Sequence, residues 1–216
     1  MRAPPVLRGG LGARLLGLVF GLFLCAAGIV ALLESELGLS PWDVLHQGLA
    51  QHSPLSYGTA NIVVCVAVLG CSWLLGARVG IGTVANASLI GLFIEVLVRV
   101  PAVDALSEEG LGARSAALVA GIALVAVGSA FYLAGALGAG PRDSLMLVLA
   151  LRSGWRIGIV RTLLESSVVV AGAFLGGKIG IGTIAFALLV GPALEVSFWL
   201  LARTPIAAPA VASAPA

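Results

Sequence analysis

Residues 10–98 recur, without a gap, at 110–198. A shift of one hundred positions lays Gly10-Leu11-Gly12-Ala13-Arg14 on Gly110-Leu111-Gly112-Ala113-Arg114, and Gly21 and Gly28 on Gly121 and Gly128. It also lays Leu37-Gly38 with Pro41 and Asp43 on Leu137-Gly138 with Pro141 and Asp143, and Gly80-Ile81-Gly82-Thr83 on Gly180-Ile181-Gly182-Thr183. About two positions in five are identical, and the identities fall on Pro, Asp, Gly and Glu, which chance similarity between apolar runs does not produce. Each unit holds three apolar stretches, at about 15–34, 57–75 and 82–100, then at about 115–136, 157–175 and 182–201.

Each stretch approaches the ~20 residues that a helix needs to cross a bilayer. The chain is 60% hydrophobic and 10% charged, with mean hydropathy +1.12, which excludes an ordinary soluble domain. Backbone amides inside hydrocarbon must be satisfied within the segment, so runs of this length are helices; barrel strands are about half as long and alternate in polarity. The expected fold is therefore an all-α polytopic membrane helix bundle of about six transmembrane helices. An odd number of spans per unit makes the second unit enter from the opposite face, an inverted repeat of the kind that secondary transporters use. The expected division is an N-terminal cytoplasmic segment 1–9, repeat 10–100, linker 101–109, repeat 110–201, and a disordered Ala- and Pro-rich tail 202–216.

Charge supports the inversion. With the N-terminus inside, inside segments hold nine of the twelve basic residues and outside segments three, Arg99, Arg114 and Lys178. The loop after the first span has no Lys or Arg, whereas its copy has four Arg: Trp42 is matched by Arg142, His52 by Arg152 and Asn61 by Arg161. Equivalent loops thus carry opposite topological signals, and both termini are expected in the cytoplasm. The basic residues are spread, not clustered, so no nucleic-acid footprint is present. The N-terminal run is not read as a cleaved signal, because Leu24 precedes Cys25 and the same segment recurs inside the chain.

Several polar residues are candidates for chemistry. Ser40, Pro41 and Asp43, like Gly140, Pro141 and Asp143, open short helices of about 41–52 and 141–152 that cannot span; they are either capped surface helices or re-entrant ones pointing at a binding site. Gly80, Gly82 and Thr83, with Gly180, Gly182 and Thr183, are either tight hairpins or, beside Arg78 and Lys178, anion cradles. Glu95 and Glu195 lie within spans, toward their ends, and serve either ion coupling or interfacial solvation. Arg161 and Glu165 stand one turn apart and can pair, with Asn61 and Cys65 at those places in the first copy. Asn86, matched by Phe186, adds to a polar centre built unequally by the two halves. His46 and His52 lack companion ligands at metal spacing and read as interfacial, and Cys25, Cys65 and Cys71 read as packing residues. No fingerprint of catalysis or of a cofactor is present.

Residues 38–49 (Gly-Leu-Ser-Pro-Trp-Asp-Val-Leu-His-Gln-Gly-Leu), Val-Gly-Ile-Gly-Thr with Asn86 at 79–92, and Gly-Ala-Gly-Pro-Arg-Asp at 138–143 resemble the bacterial YczE/YyaS-like membrane proteins, relatives of the YitT-type family. The resemblance covers the chain apart from its tails and implies a multi-pass bacterial inner-membrane protein. The expectation drawn from residues and repeat together is a small permease or transporter with the lipid bilayer and a small molecule or ion as partners, and no enzyme. The alternative is a non-transporting membrane accessory protein or scaffold.

Overall fold

A computed structural model describes Met1, residues 3–100 and residues 109–208. The elements run β1 (Val6–Leu7), α1 (Gly10–Glu34), α2 (Pro41–His52), α3 (Tyr57–Leu74), α4 (Ile81–Leu97), α5 (Leu111–Ala134), α6 (Pro141–Ser153), α7 (Ile157–Phe174), α8 (Ile181–Ala202) and β2 (Ala207–Ala208). Five helices, α1, α3, α5, α7 and α8, have the length and apolarity of membrane spans; α4, at 17 residues, is equally apolar and shorter. Large apolar side chains cover the outer faces, among them Leu16, Leu74, Phe174 and Ile181, as expected of a surface facing lipid. The all-α membrane bundle expected from the sequence is the fold observed.

The halves meet along α1 and α5. A Cβ on Gly21 would strike the Gly128 backbone, one on Gly28 the Gly121 backbone, and both approaches are reciprocal. Since 21 corresponds to 121 and 28 to 128, the helices cross antiparallel about a pseudo-two-fold axis perpendicular to them. Small residues let the backbones touch where no hydrophobic force separates helix from lipid. Equivalent residues meet each other on the axis: the Cys25 thiol lies 3.7 Å from the Val125 carbonyl oxygen. At each end an arginine of one helix closes the other. Arg14 donates to the carbonyls of Gly135 and Ala136 at 2.5 and 2.6 Å, and Arg114 donates to the Ser35 carbonyl at 2.8 Å and pairs with Glu36 at 3.2 Å. These are the unpaired carbonyls and negative dipole end of a helix C-terminus.

Beyond these ends both copies make the same turn, with Glu36 and Ala136 at φ 48° and 49°, then Gly38 and Gly138 at φ 146° and 106°. Each turn docks on the glycine hairpin of the other half. The Gly82 amide donates to the Leu137 carbonyl at 2.7 Å and the Gly182 amide to Leu37 at 2.8 Å. Thr83 donates its hydroxyl to Ala139 at 2.7 Å, and Thr183 donates to Leu39 at 2.6 Å. The short helices are exchanged as well: α2 packs on α7, and α6 on α3.

β1 pairs antiparallel with β2, so the segment before α1 and the segment after α8 meet at one end of the bundle. This revises the tail boundary expected at 202, because the chain is ordered through Ala208; residues 209–216 lie outside the described residues. The linker expected at 101–109 also lies outside them, except for Glu109.

Candidate functional site

The short helix α2 runs alongside the outer half of α7. Its Gly48 packs on Gly172, and its Gln51 and His52 lie beside Gly176 at the end of α7. Its first turn reaches inward instead, to Glu165, which is about 12 Å from the nearer end of α7 at 1.5 Å per residue. The residues before this turn, Leu37 and Gly38, sit on the α7–α8 hairpin at Gly180 and Gly182, and it is the Trp42 side chain that reaches Glu165. The cap is the one expected: Pro41 opens the helix, and the Ser40 hydroxyl accepts the Asp43 amide at 3.4 Å and donates to the Asp43 carboxylate at 2.6 Å. α6 enters the same way from the other half, with Gly140 pressed against the Asn86 side chain. The two N-termini converge, and the equivalent residues Trp42 and Arg142 touch, the guanidinium 4.8 Å above the indole.

Around this meeting point a charged cluster forms from four helices. Arg161 pairs with Asp143 on one side and, at 2.9 Å, with Glu165 on the other. The Tyr132 hydroxyl donates to the second Asp143 oxygen. The Trp42 indole N–H faces Glu165 without closing a hydrogen bond, and Glu165 Oε2 is likewise left without a partner. Glu165 is 1% exposed, Arg161 8% and Asp143 9%, so the cluster is buried. Two arginines and two carboxylates balance in charge, which is the condition for holding them at this depth.

The first half places a different set at the equivalent position. Asp43 accepts from Tyr57 at 2.8 Å and lies 3.4 Å from His46. Asn61 accepts from Cys65 at 3.2 Å, where the second half has Arg161 and Glu165. His46 is fully buried, edge-on to the Tyr57 ring of α3 with 6.0 Å between ring centroids, whereas His52 is exposed. Among the described residues no group of ligating side chains has the composition of a metal site.

Of the sequence candidates, Asp143, Arg161 and Glu165 come together, Asp43 lies on the facing helix next to Trp42, within electrostatic reach of Arg142, and Asn86 abuts Gly140. Glu95 and Glu195 stay apart from the centre. Glu95 is exposed and pairs with Arg99, two residues past the end of α4, whereas Glu195 binds Arg156, the Gly158 amide and the Met1 amino group. In the glycine hairpins the Gly82 and Gly182 amides are taken by carbonyls of the opposite half, and the Gly80 and Gly180 amides by the hydroxyls of Thr83 and Thr183. Sequence reasoning missed Tyr132, Trp42 and Arg142 as members of the centre. A tyrosine hydroxyl inside an apolar span, opposite Leu32 in the other copy, was the available signal.

Residues 12–198 match a family of unknown function, DUF6198. An uncharacterised protein of Haemophilus influenzae is 35% identical over 188 residues, covering 87% of this chain and 84% of the relative. The uncharacterised membrane protein YczE of Bacillus subtilis is 35% identical over 180 residues, 82% of this chain and 81% of its own. The uncharacterised protein YyaS of the same organism is 28% identical over 185 residues, 85% and 91% of the two chains. No solved structure matches the chain. With its apolar helices, its lipid-facing surface and matches that span nearly the whole repeat, this chain is an integral membrane protein and belongs to the DUF6198 family, as its resemblance to YczE and YyaS led one to expect.

Proposed function

We propose that the protein is a small carrier of the bacterial cytoplasmic membrane that moves a small solute or ion through the seam between its halves. It crosses six times in this reading, with both termini in the cytoplasm, and α4 at the short limit of span length. The observation that carries the reading is the burial of Asp143, Arg161 and Glu165, with Arg142 beside them, where the N-termini of α2 and α6 meet inside the bundle. Charged groups there cost several kcal/mol, and half-helices converging on the midplane are how inverted-repeat carriers build a substrate site. No step of covalent chemistry is part of the proposal. Reconstitution in vesicles with a panel of metabolites and ions tests it: uptake that Glu165→Gln abolishes is expected, and no uptake of any solute would overturn it.

The accessory reading keeps one observation in its favour. Among the described residues, nothing lies within 4 Å of a Cβ placed on Gly58, Gly70 or Gly91, as on packing faces for another membrane protein. A membrane partner that copurifies in stoichiometric amount, together with absent uptake, would favour it.

A further inference from the structure

The halves use one set of equivalent residues in opposite ways. In the second half, α7 and α8 close backbone on backbone: a Cβ on Gly158 would stand 2.7 Å from the Gly191 carbonyl oxygen, and one on Gly191 would overlap Gly158 and Thr162. Glu195 ties the same end, ion-paired to Arg156 and accepting the Gly158 amide at 3.3 Å. In the first half the corresponding residues are Gly58, Gly91, Ser56 and Glu95. Among the described residues both glycines have nothing within 4 Å, α3 and α4 barely touch, and Glu95 turns to Arg99 just past the end of its own helix.

These two places lie at opposite ends of the bundle. α7 begins beside the chain termini, where the Ile157 amide donates to the Met1 carbonyl at 2.9 Å. α3 begins just after α2, whose last residues sit beside Gly176 at the far end of α7. The molecule is thus shut at the α7 end and parted at the α3 end. Glycine within an exposed helix lowers its stability relative to alanine, and Gly58 and Gly91 serve no contact in this arrangement. Their counterparts serve one.

We infer that α3 and α4 are a gate that closes through Gly58 and Gly91 as α7 and α8 close through Gly158 and Gly191, and that Arg156–Glu195 latches the end now shut. The gate rests on the carrier reading for its purpose, since alternating closure at two ends of a buried site is what a carrier needs; the motion itself is measured without any solute. The equivalent pairs S56C/E95C and R156C/E195C, each in a background with Cys25, Cys65 and Cys71 replaced by alanine, report the two ends. Membranes are treated with copper phenanthroline, and products are read by gel mobility and peptide mass mapping. R156C/E195C is expected to cross-link promptly and S56C/E95C more slowly, both within single chains. Adding Glu195→Gln to the S56C/E95C variant is expected to speed its cross-linking about threefold, the effect of loosening a partly exposed ion pair. No S56C/E95C cross-link, with or without Glu195→Gln, while R156C/E195C goes to completion would overturn the gate. So would a cross-link found only between two chains, which would make the parted face an interface between copies. An intramolecular cross-link in a protein that takes up nothing from the solute panel would keep the gate and remove the carrier reading alone.

Discussion

Arg161 lies between two carboxylates, and that position decides how each member of the cluster responds to removal. Arg161→Ala leaves Asp143 and Glu165 buried without their cation, and uncompensated buried charge costs about 3 kcal/mol or more. Glu165→Gln keeps the shape and the Arg161–Asp143 pair and leaves one excess positive charge next to the half-buried Arg142, a smaller loss than two buried carboxylates without a cation. Thermal melting in detergent should therefore rank Arg161→Ala as the most damaging and Glu165→Gln as the mildest; equal losses would deny that the cluster is held together by charge. The pairing of Arg161 with Glu165 was legible from their spacing of one turn. The bond of Arg161 to Asp143 was not, because it joins α6 to α7, and spacing along the chain does not say which helix lies opposite.

At the scale of elements, the sequence located the helices closely. The short helices expected at about 41–52 and 141–152 are Pro41–His52 and Pro141–Ser153, because Pro at the first turn marks a helix start in any context. The apolar stretch expected from 15 begins at Gly10, since Gly12 and Arg14 depress local hydropathy although the helix continues through them to reach Gly135. Periodicity says nothing about which helix lies opposite, and so the exchange of short helices between halves and the burial of His46 were out of reach. The turns that make the exchange are sensitive at their glycines. Gly138→Ala places a side chain at φ 106° and drives its Cβ toward Gly80 and Thr83, which is expected to cost about 2 kcal/mol from the backbone conformation alone. Gly38→Ala should behave alike against Gly180 and Thr183. Gly12→Ala, in open space on α1, is the control and should be neutral or slightly stabilising; detergent melting of the three variants checks the contrast.

For the whole molecule the decisive question is orientation. Ser53 and Ser153 hold the same repeat position after α2 and α6, and the pseudo-two-fold axis puts them at opposite ends of the bundle. In a background with the native cysteines replaced, an impermeant thiol reagent added to intact cells should label a cysteine at 53 and reach one at 153 only after permeabilisation. Labelling of both from one side would deny that each unit has an odd number of crossings. The inversion was legible because the loop charges oppose each other, with an Arg-free loop matched by one carrying four arginines.

The exchanged turns also govern how the chain is made. Leu39 receives its hydrogen bond from Thr183, 144 positions later, and Leu37 from Gly182. A ribosome adds roughly 5–20 residues per second, so the first unit sits in the membrane for about 7–30 s before the hairpin that completes it emerges. During that interval α2 has no α7 to lie against, and the carbonyls after α1 have no Arg114 until α5 begins. The nascent first half is thus an open, adhesive intermediate that needs either the insertion machinery or its own second half. Expressed separately, the two units should be degraded alone and rescued by co-expression, as two molecules that were once a pair.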